Sequence, residues 1–336
     1  MSNKSILIAD IGGTNARFAI ADRSRQRFSN AQTLEAANFE RLIDAIDSYL
    51  QNNSINDISN MCLAVAGPVV DEKVDFPNSH WHVDCTELRA KYGIKHANLL
   101  NDWEAISYSL SSIDQSDLIN IGGDWSSLSD GDFTIGALGP GSGLGVSGLI
   151  RRNGQLHPMV TEGGHVGFAP ENKLQIELLS LLQAKFGKRI SRERLLSGPG
   201  IGNIYAALEV INKSGQSIVS DRPFKSAAKI AIEAFENRNP LALQTFDVFF
   251  EILGQVAGDI ALATGAYDGI FVGGGIALRY PEQLLQSKFR HGFECKGRHS
   301  HLMENIPTWL ISHNNPGLLG ASVFATSSTN HEPTQS

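Results

Sequence analysis

The stretch SILIADIGGTNARFAIAD, residues 5–22, decides the fold. An apolar run stops at Asp10, passes through Gly12 and Gly13, and resumes after Asn15 as a second apolar run. That grammar predicts strands over 6–9 and 17–21 joined by a Gly-Gly-Thr-Asn turn. Two positions without side chains let an anion approach backbone N–H groups, and the Thr14 hydroxyl adds a donor. The turn therefore suits a phosphate. A carboxylate at the strand end would repel that phosphate, so Asp10 points to a divalent cation, Mg²⁺ with its waters, standing between them. An ordinary hairpin with a hydrogen-bonded Asp explains one such turn equally well, and the recurrence of the pattern decides against it.

Outward from this hairpin, apolar strands alternate with helical periods, the pattern of an α/β protein. Further strands are expected over 61–65 and 97–100, and Asn38 is expected to cap a helix running to Leu50 with Phe39, Leu42, Ile43, Ile46 and Leu50 on one face. A second block opens near Asp132, where FTIGALGPGSGLGVSGLI repeats strand, glycine turn and strand, and Asn153-Gly154 supplies a hairpin turn. The glycine array of Gly139, Gly141, Gly143 and Gly145, with Ser142, would hold phosphates from another side. The run also contains G-x-G-x-x-G at Gly143, Gly145 and Gly148, with Glu162 placed 19 residues after the first glycine. A dinucleotide fold is nevertheless excluded, because its third glycine opens a helix whereas 146–150 continues as a strand. A third array, YDGIFVGGGIALR, is an apolar strand ending at Gly273, Gly274 and Gly275, where a flat base can lie against bare backbone. Helices are expected over 174–186, stopped by Gly187, and over 241–264, capped by Asn239, started by Pro240 and stopped by Gly265. Gly254 and Gly258 share one face of the latter, so a neighbour can approach its backbone closely.

Composition narrows the partners. The 336 residues and 42% hydrophobic content suit two domains, and 28 basic against 35 acidic residues give a net charge of −7 without any Lys/Arg-rich run. Nucleic acid is not an expected partner. No segment approaches 18 uninterrupted apolar residues, so neither a membrane span nor a signal peptide is expected and the expected compartment is the cytoplasm. Cys62, Cys85 and Cys295 are read as reduced thiols. The histidines of SHWH and RHSH are read as surface residues, and residues 329–336 as a disordered tail.

Phosphoryl transfer to a hydroxyl needs a carboxylate to accept the proton, and Asp102 fits: it follows ANLL and precedes Trp103, Ala105, Ile106 and Leu110 at helical spacing. It could equally be only an N-cap.

Taken together, DIGGTNAR, LLNDWEA, GPGSGLGV, TEGGHVGFAP, RERLLSGPG, GIFVGGGIALR and NNPGLLGAS resemble the bacterial glucokinase family, within the sugar kinase, actin and hexokinase superfamily. The resemblance runs from Ile6 to about Ala325. It implies a two-domain actin-like (ribonuclease H-like) ATPase fold with an interdomain cleft: a small α/β domain over 1–112 plus 313–328, and a larger one over 113–312. The long helix over 241–264 and the helix begun by Pro316 would cross between them. The resemblance further implies ATP, Mg²⁺, glucose as substrate and a homodimer. Asp102 would be the general base, and Asn101, Asp102, Glu162, His165 and Glu193 the sugar contacts. Asp10, Gly12, Gly13, Thr14, Asn15, Gly141, Ser142, Gly143, Gly273, Gly274 and Gly275 would surround the nucleotide. Two departures are Pro140, which lacks the N–H that family members have there, and Ser142 in place of the usual Thr. A cysteine-rich zinc loop, found in related sugar kinases, is not matched. Other readings are a kinase for fructose or an N-acetylhexosamine, and a sugar-sensing homologue without turnover; the latter usually carries a DNA-binding domain, for which a first strand at Ile6 leaves no room.

Overall fold

A computed structural model describes residues 4–22, 27–76, 79–124, 131–213 and 225–327. The expected tail over 329–336 lies outside the described residues. The chain forms two compact units, Met1–Asp117 with Pro158–Val160 and His313–Ser336, and Leu118–His157 with Thr161–Ser312.

The first unit contains β1 (Ser5–Ile11), β2 (Asn15–Asp22), β3 (Arg27–Glu35), β4 (Ile58–Val65), β5 (Lys73–Asp75), β6 (His82–Asp84) and β7 (His96–Asn101). Five of them form one sheet in the order β3-β2-β1-β4-β7. β1 is central, antiparallel to β2 and parallel to β4, which is in turn parallel to β7. Covering on both faces explains why Ile6, Leu7, Ile8 and Ala9 are all buried without alternation. The register aligns Ile11 with Val65 and Val65 with Asn101, so Asp10 and Asp102 flank one row at the carboxyl edge of three parallel strands. That edge is where open α/β sheets place their ligand-binding residues.

The helix expected from Asn38 instead begins at Leu42 and runs to Asn52. Ala36–Asn38 forms a 3-10 turn, Phe39 is extended, and its carbonyl accepts the Trp81 indole N–H at 3.2 Å. The helix start is closed by Asp44, whose Oδ2 accepts the Arg41 N–H at 3.0 Å. The buried face is Leu42, Ile43, Ala45, Ile46 and Tyr49, with Phe39 and Leu50 only partly covered. On the same unit the helix Pro316–Ser327 packs against the helix Asp102–Ser109 so closely that a Cβ at Gly320 would overlap the Ala105 carbonyl.

The second sheet consists of β8 (Leu118–Gly122), β9 (Phe133–Pro140), β10 (Leu144–Arg152), β11 (Gln155–Val160), β12 (Ile270–Val272) and β13 (Thr308–Ile311), in the order β11-β10-β9-β12-β13-β8, and all of it belongs to the second unit except Pro158–Val160 of β11. β9 and β10 form the second glycine hairpin, pairing Pro140 with Leu144. β10 and β11 meet at Asn153-Gly154, whose φ angles of 51° and 76° are those of a two-residue hairpin turn. Thus 146–150 is strand, and the dinucleotide reading fails as expected.

The helix Pro240–Thr264 is capped by Asn239 and ended by Gly265 in the left-handed region at φ 69°. Phe246, Phe249, Phe250 and Leu253 belong to the apolar core around it. All its residues lie in the second unit, and all of Pro316–Ser327 lie in the first. The close neighbour on the Gly254 and Gly258 face is the short helix Phe289–Glu294, whose Phe289 and Phe293 carbonyls occupy the space of the missing Cβ atoms. Among the described residues no helix is long and apolar enough to cross a membrane. Cys62, Cys85 and Cys295 are free, the first two buried.

Candidate active site

In the first unit the opening turn is as tight as its glycines suggest. The Gly12 N–H donates to the Asn15 carbonyl at 2.9 Å, and the Ala36 N–H donates to the Thr14 carbonyl at 2.9 Å. Gly12 therefore spends its own N–H on closing the turn. A Cβ there would meet only the Asn15 carbonyl, at an ordinary 3.6 Å, so the glycine keeps the outer approach clear and does not relieve a clash. Thr14 is exposed at the tip beside Gly13.

Asp10 lies one residue from the end of β1, its side chain 22% exposed, with Oδ2 at 3.3 Å from Arg17 Nη1. Burial raises its pKa, and the neighbouring guanidinium offsets part of that rise. Gly317, at the start of the Pro316 helix, faces the same carboxyl: a Cβ there would stand 3.0 Å from Asp10 Cγ. A partly buried carboxylate at the strand end before a glycine turn suits a hydrated Mg²⁺, which needs only one or two carboxylates when phosphates supply the remaining ligands. Among the described residues no group of three or more His, Cys, Asp or Glu side chains is placed to hold a metal ion.

Asn101 and Asp102 divide two tasks. Asn101 is the N-cap of the helix Asp102–Ser109: its Oδ1 accepts the Trp103 N–H at 3.0 Å, and Glu104 closes the box by accepting the Asn101 N–H at 3.3 Å. The Asn101 amide also donates to the Gly67 carbonyl at 3.3 Å. Asp102 is the first helical residue, half-buried, with Oδ1 at 2.9 Å from the same Trp103 N–H.

The second unit gathers the remaining candidates around the ends of β9 and β10. Gly141 donates to the Gly143 carbonyl at 2.8 Å, closing the Gly141-Ser142-Gly143 tip. The Gly198 N–H, in the first turn of the Ser197-capped helix Gly198–Asn212, donates to the Gly141 carbonyl at 2.8 Å. This puts the positive end of a 15-residue helix against the glycine turn, which favours an anion there. Gly274, at φ 82°, lies so near that a Cβ would come within 2.5 Å of the Pro140 carbonyl. Gly273 donates to the Leu138 carbonyl at 2.8 Å, and Gly275 opens the helix Gly275–Arg279. A cavity of about 270 Å³ lies beside these arrays. Its lining combines Gly141, Ser142 and Gly275 with the apolar Ile201, Ala227, Ala228 and Ile276, and with Arg279 and Tyr280. Its dimensions and mixed lining suit a nucleoside.

Two further loops are stitched to this hairpin. Glu162 and His165 flank Gly163 and Gly164 in a 3-10 turn, with His165 Nε2 3.9 Å from Glu162 Oε2 and both side chains exposed. A Cβ at Gly164 would overlap the Leu144 carbonyl, so the turn rests directly on β10. Arg192 donates its N–H to the Val166 carbonyl at 2.9 Å, joining this turn to the 3-10 helix Arg192–Arg194. From that helix Glu193 reaches back to the glycine turn, where Oε2 accepts the Leu144 N–H at 3.1 Å and fills the space beside Gly143.

The candidates thus fall into two groups. Asp10, Gly12, Gly13, Thr14, Asn15, Asn101 and Asp102 belong to the first unit, and Gly141, Ser142, Gly143, Glu162, His165, Glu193, Gly273, Gly274 and Gly275 to the second. Sequence reasoning missed Gly317, Ile201, Ala227, Ala228 and Tyr280. Gly317 and Tyr280 adjoin or lie in glycine-bearing motifs and were within reach, whereas nothing in KSAAKI marks a cavity wall.

The glucokinase family model matches residues 7–328. The glucokinase of Colwellia psychrerythraea is 36% identical over 319 residues, covering 95% of each chain. The crystal structure of a glucokinase from an Antarctic psychrotroph superposes with a TM-score of 0.86 at 32% identity, covering 98% of this chain and 99% of that one. A Balamuthia mandrillaris glucokinase in complex with glucose gives 0.75 at 23% identity, covering 96% and 94%, a likeness of fold.

Proposed function

The chain belongs to the glucokinase family and is a glucose kinase of the actin-like ATPase fold, and from that premise we propose how its residues divide the reaction. The 6-hydroxyl of D-glucose attacks the γ-phosphorus of ATP, and Asp102 takes its proton as the P–O bond forms and the bond to the ADP oxygen breaks. Asn101, Glu162, His165 and Glu193 accept from or donate to the other sugar hydroxyls. The Gly12-Gly13-Thr14-Asn15 turn and the Gly141-Ser142-Gly143 turn hold the phosphates, and Gly273, Gly274 and Gly275 leave room for the nucleoside. Asp10 would hold Mg²⁺ through its waters, and the ion would supply neutralisation of phosphate charge. The observation that carries this reading is the division of labour at residues 101 and 102: Asn101 is the N-cap of the helix, and Asp102 stands at the carboxyl edge of the parallel strands. The family resemblance adds a homodimer, and the charge and hydropathy of the chain add a cytoplasmic setting.

A coupled assay over a panel of hexoses with Mg-ATP tests the reading. Glucose is expected to have the highest kcat/KM. Faster phosphorylation of fructose or an N-acetylhexosamine would reassign the substrate, and turnover of none would make the chain a sensor.

A further inference from the structure

We propose that Asp259 is a positioning residue for Glu193, acting through Arg192; the proposal rests on the reading of Glu193 as a sugar contact. Asp259 lies in the Pro240–Thr264 helix, 67 positions from Arg192 and next to Gly258. Its Oδ2 is 3.1 Å from Arg192 Nη2 and its Oδ1 is 2.9 Å from Lys296 Nζ, which in turn lies 2.6 Å from Glu171 Oε1. The Arg192 and Lys296 side chains are 14% and 6% exposed and those of Asp259 and Glu171 are 32% and 30%, so the cations of this row are withdrawn from water while its carboxylates keep one side open to it.

Ion pairs withdrawn from water contribute little net stability but hold their members in one geometry. The geometry held here is that of the 3-10 helix Arg192–Arg194. A single turn of three residues has little rigidity of its own. Its ends are tied by the Arg192 N–H to the Val166 carbonyl at 2.9 Å and by the Asn203 amide to the Arg194 carbonyl at 2.7 Å. Fixing the Arg192 guanidinium on Asp259 sets how the turn is rotated between those ties, and hence where Glu193 points. Glu193 has the Leu144 N–H on Oε2 at 3.1 Å, so a small rotation would move the carboxylate against both the glycine turn and the sugar.

Gly258 belongs to the same device. A Cβ there would come within 2.8 Å of Lys296 Cε, so the glycine opens the path by which the lysine reaches Asp259 one residue further on. Lys296 then takes one oxygen of Asp259 and leaves the other to Arg192.

The test is steady-state kinetics on the full chain with glucose and Mg-ATP. Asp259→Asn keeps the volume and removes the charge, and is expected to raise the glucose KM about tenfold while kcat and the ATP KM change less than about threefold. In a Glu193→Gln background the same substitution should add almost nothing, since both act through one carboxylate. Arg192→Lys preserves the charge balance with a shorter, non-planar group and is expected to raise the glucose KM in the same way, which keeps the test sound if Asp259→Asn fails to fold. Parental glucose KM in Arg192→Lys and in folded Asp259→Asn, or multiplication of the Asp259→Asn and Glu193→Gln effects in the double variant, overturns the positioning role. An unchanged glucose KM in Glu193→Gln itself removes the sugar role of Glu193, and the positioning role with it.

Discussion

Gly317 stands directly against Asp10: an ideal Cβ on the glycine would lie 3.0 Å from the Asp10 Cγ and 3.1 Å from Oδ2. The last motif of the chain thereby shapes the surroundings of the first. Gly317→Ala would press a methyl against a carboxyl held by Arg17, and that carboxyl would have to give way slightly. The expected outcome is a rise of about tenfold in the KM for Mg-ATP, equivalent to ~1.4 kcal/mol, with the glucose KM little changed. Kinetics with each substrate varied in turn measure it, and an unaltered ATP KM would separate Asp10 from the nucleotide.

Burial of Asp10 raises its pKa above the ordinary 3.8, and Arg17 restrains the rise. The acid limb of kcat/KM for Mg-ATP, which reports the free enzyme, should therefore lie above the 3.8 of an ordinary Asp. Arg17→Met removes the restraint and should move that limb to higher pH. The stability sign is opposite to that of a salt-bridged acid. With the folded pKa above the unfolded one, ionised Asp10 destabilises the fold, so its contribution becomes more favourable as pH falls through the folded pKa toward 3.8. A limb that stays in place or moves downward in Arg17→Met would show that another group sets it.

Glu193 and His165 are expected to act on sugar affinity. Glu193→Gln retains an oxygen for the Leu144 N–H but loses the charge, and His165→Ala removes an imidazole from an exposed turn. Each should raise the glucose KM by the equivalent of about 1–3 kcal/mol, the cost of a buried hydrogen bond left unmade in the complex. Isothermal titration with glucose, without nucleotide, reads this directly. Parental affinity in both variants would place sugar recognition elsewhere.

Much of this architecture was legible because it is local. The Gly-Gly turn, the Asn153-Gly154 hairpin, and the Asn239, Pro240 and Gly265 punctuation of the long helix are fixed within a few residues by backbone conformation. Asn38 misled because a good capping residue was read without its tertiary competitor, the Trp81 indole on the Phe39 carbonyl. At residues 101 and 102 two adjacent capping types are equivalent as letters, and only the extended φ and ψ of Asn101 make it the cap. The links from Glu193 to Leu144 and from Arg192 to Asp259 span 49 and 67 positions, and no periodicity carries such pairings.

The sharpest prediction turns on that pair. If Asp102 takes the proton from the sugar hydroxyl, Asp102→Asn should lower kcat by about 10²–10⁴. The amide keeps the shape and an oxygen for the Trp103 N–H, and the N-cap at Asn101 is untouched. The variant should therefore melt within about 2–4 °C of the parent and still bind glucose by calorimetry. Asn101→Ala is the complementary change. Losing the cap costs about 1 kcal/mol of stability and frees the start of the Asp102 helix, so its melting temperature falls while kcat drops far less than in Asp102→Asn. If Asp102→Asn phosphorylates glucose within a few-fold of the parental rate, the carboxylate is a helix-terminal or binding group. The proton acceptor would then have to be sought at Glu162 or Glu193.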